Sequence, residues 1–167
     1  MTIGIMNDLA VGVHKYGADV WSIPDAFVRT MSVGAPPDMY NQLGQDWTQP
    51  PMNPRYMATH DWEPLRGIIH RALVNCGALR IDHVMGLIRL WWIPQGADPN
   101  EGTYVRYNHE ATVGIMLLEA ARAHAVVVGE DLGTVEDWVR DYLRDRGILG
   151  TSVPVSYTHL RAHETLR

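Results

Sequence analysis

Short apolar runs alternate along the chain with segments of helical periodicity. The apolar runs are bounded by turn residues and are typical of buried strands: Ile3–Met6, Ala78–Ile81, Val126–Val128 and Ile148–Val153. Between them, apolar residues three and four positions apart predict helices over Trp62–Val74, Ala111–Ala123 and Val135–Leu143. Because strands and helices alternate at this spacing, the pattern predicts βαβ units and a parallel sheet.

The stretch from Ser32 to His60 has a different character. It is rich in Pro, Gly, Asn and Gln and shows no clear period, which predicts a long loop. Loops of this length within compact domains are usually functional, and we expect the same of this one.

Acidic residues stand where the predicted strands end. Asp8, Asp82 and Glu130 each lie at or just after the carboxyl end of a strand. Functional groups gather at that end in doubly wound sheets and in barrels, but several strand ends converge on one centre only in a barrel. We therefore expect an α/β fold of the (β/α)8 TIM-barrel type. A barrel needs about 250 residues, so a chain of 167 residues predicts an incomplete one, formed by its middle strands.

The first motif with candidate chemistry is Arg80-Ile81-Asp82-His83. Side chains alternate along a strand, so Arg80 and Asp82 point to the same side. A guanidinium beside a carboxylate lowers the carboxylate's pKa and keeps it ionised, as attack on the anomeric carbon of a sugar requires. A structural salt bridge would give the same pattern.

The second motif is VVVGEDLG, in which Glu130 follows an apolar strand. Desolvation at such a position raises the pKa of a carboxyl group and suits a proton donor at neutral pH, although a solvated loop acid is the alternative. If a single crossover separates the two strands, Asp82 and Glu130 are neighbours on the rim of a barrel. Two carboxyl groups about 5–5.5 Å apart fit a retaining glycosidic mechanism.

Composition narrows the class of protein. The net charge of −5 argues against non-specific binding of nucleic acid, which needs a basic surface. Cys76 is the single cysteine, which rules out an internal disulfide and favours a reduced, cytoplasmic setting. No apolar run approaches the roughly 18 residues of a membrane span, and no export signal is evident, so we expect no membrane association.

Three further segments carry a more specific signal when taken together: RIDHVMGL, VVVGEDLGTV and GAPPDMYNQLGQDW. They resemble the amylomaltases, the 4-α-glucanotransferases of glycoside hydrolase family 77. IMNDLAV, GADVW and EDWVRDYLRDRGILGTSV also look like family segments, so that the resemblance extends to about Val153. It implies the (β/α)8 catalytic barrel that the family shares with the α-amylases.

The resemblance also implies roles for individual residues. Asp82 would attack the anomeric carbon to form a covalent glucosyl-enzyme, and Glu130 would act as the general acid/base. Four positions on the family's loop over the cleft would bind sugar rings and hydroxyls. Arg80 and His83 would contact the sugar at the reacting subsite, and Asp8 is a further substrate-binding position. The expected substrate-binding residues are Asp38, Tyr40, Gln45 and Trp47 on the loop, and Asp8, Arg80 and His83 at the strand ends.

The chain also departs from the family. Val84-Met85 stands where many relatives carry an aromatic or charged residue, and Met39 stands where some carry an aromatic one. The family's third catalytic carboxylate has no counterpart before Arg167. We expect residues 1–153 to form a partial catalytic barrel. Residues 154–167 resemble the translated read-through of a sequencing adapter, and we expect a non-native or disordered tail there.

The main hypothesis is a cofactor-independent glucanotransferase that acts on α-1,4-glucan or maltooligosaccharide donors and acceptors. One alternative is an α-glucan hydrolase, which uses the same two carboxyl groups with water as the acceptor. Another is a metal-dependent barrel enzyme, but His14, His60, His83 and His109 lack the spacing of known metal motifs. The last is an inactive fragment, since an incomplete barrel leaves strand edges unpaired.

Overall fold

A computed structural model of the chain describes residues 4–39, 41–132 and 135–151. Within these ranges the eight strands are β1 (Met6–Leu9), β2 (Met31–Ala35), β3 (Gln45–Gln49), β4 (Ala78–Ile81), β5 (Arg89–Pro94), β6 (Thr103–Arg106), β7 (Val126–Gly129) and β8 (Leu149–Gly150). The five α-helices are α1 (Ala18–Ser22), α2 (Pro54–Thr59), α3 (Glu63–Leu73), α4 (His109–Ala123) and α5 (Asp137–Asp145). The predicted tail over 154–167 lies outside the described residues.

Four strands form a parallel sheet in the order β1-β4-β7-β8. The helices α3, α4 and α5 precede β4, β7 and β8 along the chain, so each parallel pair is joined through a helix. The predicted mixed α/β fold with a parallel sheet is confirmed. Within the described residues the sheet stays open, with β1 and β8 at its edges.

The predicted strands lie close to the observed ones. β4 has the predicted bounds, and β7 extends one residue further, to Gly129. β1 starts three residues later than predicted, because pairing with β4 aligns Met6 with Ala78 and includes the polar Asp8. Of the predicted run Ile148–Val153, only Leu149–Gly150 is a strand among the described residues.

The prediction of a long loop between Ser32 and His60 is wrong. This stretch contains β2, β3 and α2, and the two strands belong to an antiparallel sheet of order β3-β2-β5-β6. β2 lies in this sheet because it pairs with the apolar β5, whose sequence RLWWIP was also not predicted as a strand. The polar β3 has no strand periodicity of its own and is held by backbone pairing with β2.

A bulge fixes the register of the β2–β3 hairpin. The pairing shifts between Val33 and Gly34, so that Gly34 lies opposite Asp46. A Cβ atom on Gly34 would meet the carbonyl oxygen of Gln45 at 1.9 Å and Cδ1 of Ile93 at 2.7 Å. Only glycine fits between these two neighbours, and the bulge therefore sets the position of Gln45 and the residues that follow it.

The main core lies between the parallel sheet and the two longest helices. Ile69 of α3, Met116 of α4 and Leu79 of β4 are fully buried. Asn108 caps α4 by accepting a hydrogen bond from the Ala111 N–H, and Asn53 caps α2 in the same way. None of the helices in the described part of the chain combines the length and the hydropathy that a membrane crossing requires.

We predict that Gly34→Ala destabilises the hairpin and lowers the free energy of unfolding by about 1–3 kcal/mol, the usual range for overpacking. Gly114→Ala is the matched control, because Gly114 lies inside α4 and a Cβ there meets nothing within 4 Å. The control should gain up to about 1 kcal/mol from helix propensity. Urea unfolding followed by tryptophan fluorescence measures both changes, and equal stabilities for the two variants would contradict the steric argument.

Candidate active site

The candidate site lies at the carboxyl ends of β1, β4 and β7. Asp8 of β1 is directly opposite Arg80 of β4 in the parallel register. The backbone ladder continues past the strand ends: the Asp82 N–H donates to the Leu9 carbonyl at 2.9 Å, and the Glu130 N–H donates to the Ile81 carbonyl at 2.9 Å. The backbone of both candidate catalytic residues is therefore held by the sheet.

One guanidinium contacts three carboxyl groups at these strand ends. Arg80 Nη1 donates to both oxygens of Asp8, at 2.7 and 2.8 Å. The same nitrogen lies 3.2 Å from Asp82 Oδ1, and Nη2 lies 3.3 Å from Glu130 Oε2. Because a single cation serves three acids, the full ionisation of all three is disfavoured, and a proton is best retained on the least solvated one.

Glu130 is that acid, with a side chain only 21% exposed, against 41% for Asp82 and 61% for Asp8. Burial raises the pKa of the Glu130 carboxyl above its ordinary value, and the neighbouring Asp82 carboxyl raises it further. The backbone N–H of His83 and the Arg80 guanidinium act in the opposite direction, since both stabilise the ionised form. A carboxyl group of raised pKa beside a more exposed one suits a proton donor paired with a nucleophile.

His83 contributes its backbone to Glu130. Its φ of +48° is in the left-handed region, and its N–H donates to Glu130 Oε2 at 3.0 Å. The next N–H, of Val84, donates to the Glu130 carbonyl at 2.9 Å. Burial lowers the pKa of the imidazole, against the opposing effect of Asp82. These two backbone donors were missed by sequence reasoning, because nothing in the residue types marks a histidine with positive φ.

The β2–β3 hairpin brings two of the expected loop residues to this centre. The ring of Trp47 packs edge-on against the ring of His83, with centroids 5.4 Å apart and an interplanar angle of 78°. Trp47 Nε1 donates to Gln45 Oε1 at 3.0 Å. Asp38 instead closes a turn at the tip of the hairpin, where its Oδ1 accepts the N–H of Asn41. The expected residue Tyr40 lies outside the described residues.

One apolar cavity adjoins the site, and a larger cleft lies away from it. An apolar cavity of about 120 Å³ adjoins Asp82 and His83 on the side of Trp62 and Tyr107. A larger cleft, of about 710 Å³, opens beside the C-terminal ends of α3 and α4, away from the strand ends. In that cleft the buried carboxylate of Glu119 is paired with His70 and Arg122.

The other three histidines of the metal hypothesis, His14, His60 and His109, lie apart from one another. His60 stacks on Tyr56, and His109 packs against Trp138 and Tyr142. His14 lies near Tyr16, 6.0 Å between ring centroids. Among the residues that the structure describes, no group of three or more His, Cys, Asp or Glu side chains is arranged to hold a metal ion.

Solved structures share this arrangement of strands and helices. The chain superposes on a crystal structure of amylomaltase from Corynebacterium glutamicum with a TM-score of 0.88 and 53% sequence identity, over 91% of this chain and 22% of that one. It also resembles an amylomaltase from Streptococcus agalactiae solved in complex with acarbose, with a TM-score of 0.80 and 22% identity, over 90% of this chain and 32% of that one. The fold is thus shared with amylomaltases.

Curated relatives agree with the structural comparison. A 4-alpha-glucanotransferase from Mycobacterium tuberculosis is 61% identical over 153 residues, which cover 92% of this chain and 21% of that protein. One from Haemophilus influenzae is 44% identical over 140 residues, covering 84% of this chain and 20% of that protein. The chain therefore spans about a fifth of the length of these relatives.

The sequence profile of glycoside hydrolase family 77, described as 4-alpha-glucanotransferase, matches residues 1–162. The chain belongs to this family, as its motifs at the strand ends and on the hairpin predict.

We predict that Glu130→Gln gains stability relative to the wild type as pH rises. The folded-state pKa of Glu130 is raised, so its stabilising contribution is complete below the ordinary pKa and is lost as pH rises through the raised value. Glutamine does not ionise and still offers an oxygen to the His83 N–H. Urea unfolding at pH 4 and pH 8 measures the free energy of unfolding of the variant relative to that of the wild type. If this relative stability stays constant or falls between pH 4 and pH 8, the raised pKa of Glu130 is contradicted.

Proposed function

We propose that this chain is part of the catalytic (β/α)8 barrel of a 4-α-glucanotransferase, which transfers α-1,4-glucan segments by a retaining double displacement. The observation that carries the proposal is the pair of carboxyl groups, Asp82 and Glu130, joined through Arg80 at the ends of the adjacent strands β4 and β7. Two acids on neighbouring strand ends suit the short carboxyl separation of retaining enzymes, about 5–5.5 Å. Family membership supports the same chemistry.

In the first step, Asp82 is the nucleophile. One of its oxygens attacks the anomeric carbon, while the bond from that carbon to the leaving glycosidic oxygen breaks and Glu130 donates its proton to that oxygen. The raised pKa of Glu130 supports this role, because the group keeps a proton to higher pH than an ordinary carboxyl. Arg80 Nη1 lies 3.2 Å from Asp82 Oδ1, where the guanidinium can orient the attacking carboxylate.

In the second step, Glu130 acts as a base. It takes the proton from a hydroxyl of the incoming glucan, whose oxygen attacks the anomeric carbon and displaces Asp82. Both steps use only side chains, so the proposed reaction needs no metal or organic cofactor. The products are a glucan extended by the transferred segment and the shortened donor.

We propose that the residues at the strand ends bind the sugar and that the hairpin residues border the subsite they form. Asp8, Arg80 and His83 line the reacting subsite, where Asp8 fixes Arg80 through both of its oxygens. Trp47 borders the same centre through its contact with His83, and Gln45 accepts the hydrogen bond of the Trp47 indole N–H. Asp38 and Tyr40 are assigned to the acceptor side through the family's loop motif.

The central test replaces the two carboxyl groups in a complete enzyme. A chimera, in which this chain supplies the aligned 153 residues of the Mycobacterium tuberculosis relative, provides the remaining parts. We expect Asp82→Asn to lower glucose release from maltotriose at least about 10³-fold, while Asp145→Asn, 70% exposed at the end of α5, leaves it unchanged. Near-wild-type turnover by Asp82→Asn would contradict the assignment of Asp82 as the nucleophile.

Glu130→Gln tests the acid role separately. With maltotriose we expect a loss of about 10²–10⁴-fold, the usual contribution of a general acid/base. With a maltosyl fluoride donor, fluoride leaves without protonation, so its release in the first turnover should be largely retained. An equal loss with both donors would contradict the acid assignment. Oligosaccharide products longer than the donor, rather than glucose and maltose alone, would distinguish transfer from hydrolysis.

For the 167-residue chain alone we predict no disproportionation of maltotriose. By its resemblance to the family, the chain has no counterpart of the third carboxylate before Arg167, and β1 and β8 are the edges of the parallel sheet among the described residues. Chromatographic analysis of maltotriose after incubation with the purified chain is the measurement. Robust conversion would mean that the third carboxylate is dispensable or replaced.

A further inference from the structure

We propose that Trp47 is a positioning residue that acts through His83 to hold the Glu130 carboxyl group in place. The inference rests on the proposed function, since it concerns the acid/base of that reaction. It is carried by a continuous set of contacts from the β2–β3 hairpin to Glu130. The contacts are the packing of Trp47 on His83 and the hydrogen bond from the His83 N–H to Glu130.

The hairpin end of this set is firmly anchored. The bulge at Gly34 fixes how β3 pairs with β2, and β2 is in turn paired with the apolar strand β5. The indole N–H of Trp47 is already engaged by Gln45, and its ring packs against the core. An indole held in this way has little freedom to follow a sugar ring, but it presents a fixed edge contact to His83.

His83 needs such a contact. Its φ of +48° is a conformation that residues with a Cβ rarely adopt, because the side chain crowds the backbone. Packing of the imidazole against Trp47 stabilises this conformation, since a relaxed backbone would carry the ring out of contact. The same packing keeps the imidazole out of water, which is consistent with its lowered pKa.

The left-handed conformation directs the His83 N–H at Glu130. This N–H donates to Oε2 at 3.0 Å, the same oxygen that lies 3.3 Å from Arg80 Nη2. The other charged groups that face Glu130 are Asp82 and, beyond Arg80, Asp8. Of these neighbours only the His83 N–H depends on the hairpin, because Arg80, Asp82 and Asp8 belong to the parallel sheet and the residue that follows it.

Loss of the Trp47 ring should therefore change Glu130 in a defined direction. When His83 relaxes, the carboxylate loses a hydrogen bond that stabilises its ionised form, so the pKa of Glu130 rises. The alkaline limb of the pH profile, where the acid loses its proton, then moves to higher pH.

The test uses the chimera and Trp47→Leu, which keeps apolar volume under the hairpin. We expect kcat for maltotriose to fall about 10- to 100-fold, as for a small misplacement of a catalytic group, with little change in KM. The alkaline limb of kcat/KM should move to higher pH. With maltosyl fluoride, whose departure needs no proton, the loss in the first turnover should largely disappear.

Three variants act as controls. Trp47→Phe keeps an aromatic ring against His83 and loses only the bond to Gln45, so we expect a wild-type alkaline limb. Trp21→Ala, at an 86% exposed position, should leave all parameters unchanged. His83→Gly adopts positive φ without strain, so Trp47→Leu should cause no further shift of the limb in that background.

Two outcomes would overturn the inference. One is a rise in KM with an unmoved alkaline limb, which would make Trp47 a direct sugar contact. The other is an equal effect of Trp47→Leu in the His83 and His83→Gly backgrounds, which would show that it does not act through His83. Either leaves the Asp82→Asn and Glu130→Gln results intact, whereas a failure of the proposed function appears in those two variants. Thermal unfolding by circular dichroism verifies that each variant is folded.

Discussion

The site depends on a single cation, the Arg80 guanidinium, held among three carboxyl groups. Asp8, Asp82 and Glu130 come from three strand ends, and without a cation their mutual repulsion would oppose this close grouping. Arg80 can reach all three only because β1, β4 and β7 are parallel and in register. The alignment of the sheet is thus the condition on which the electrostatics of the site rests.

A second constraint is the close approach of the loop after β4 to the end of β7. A Cβ on Gly129 would meet Cγ2 of Val84 at 2.9 Å, so glycine at the end of β7 lets Val84 sit directly against the strand. The Val84 N–H then bonds to the Glu130 carbonyl. Packing and hydrogen bonding therefore act at the same point and hold the loop after β4 against the end of β7.

The antiparallel sheet completes the site from the other side. Its hairpin is rich in polar residues and derives its order from β5 and from the bulge at Gly34, rather than from any hydrophobic period of its own. This explains how a segment typical of a loop by composition becomes a registered pair of strands. The rigidity matters because the hairpin brings Trp47 against His83, whose backbone contacts Glu130.

The sequence by itself determined the local and periodic features. Apolar runs and helical spacing located β4, β7 and the helices α3 and α4, because burial on a sheet or helix face imposes a period that residue types record. Motifs at strand ends also indicated the family. Three features were decided only by the tertiary structure. They are the place of the polar hairpin, the sharing of Arg80 among three acids and the left-handed backbone of His83. These depend on contacts between residues distant along the chain, for which no single residue type is diagnostic.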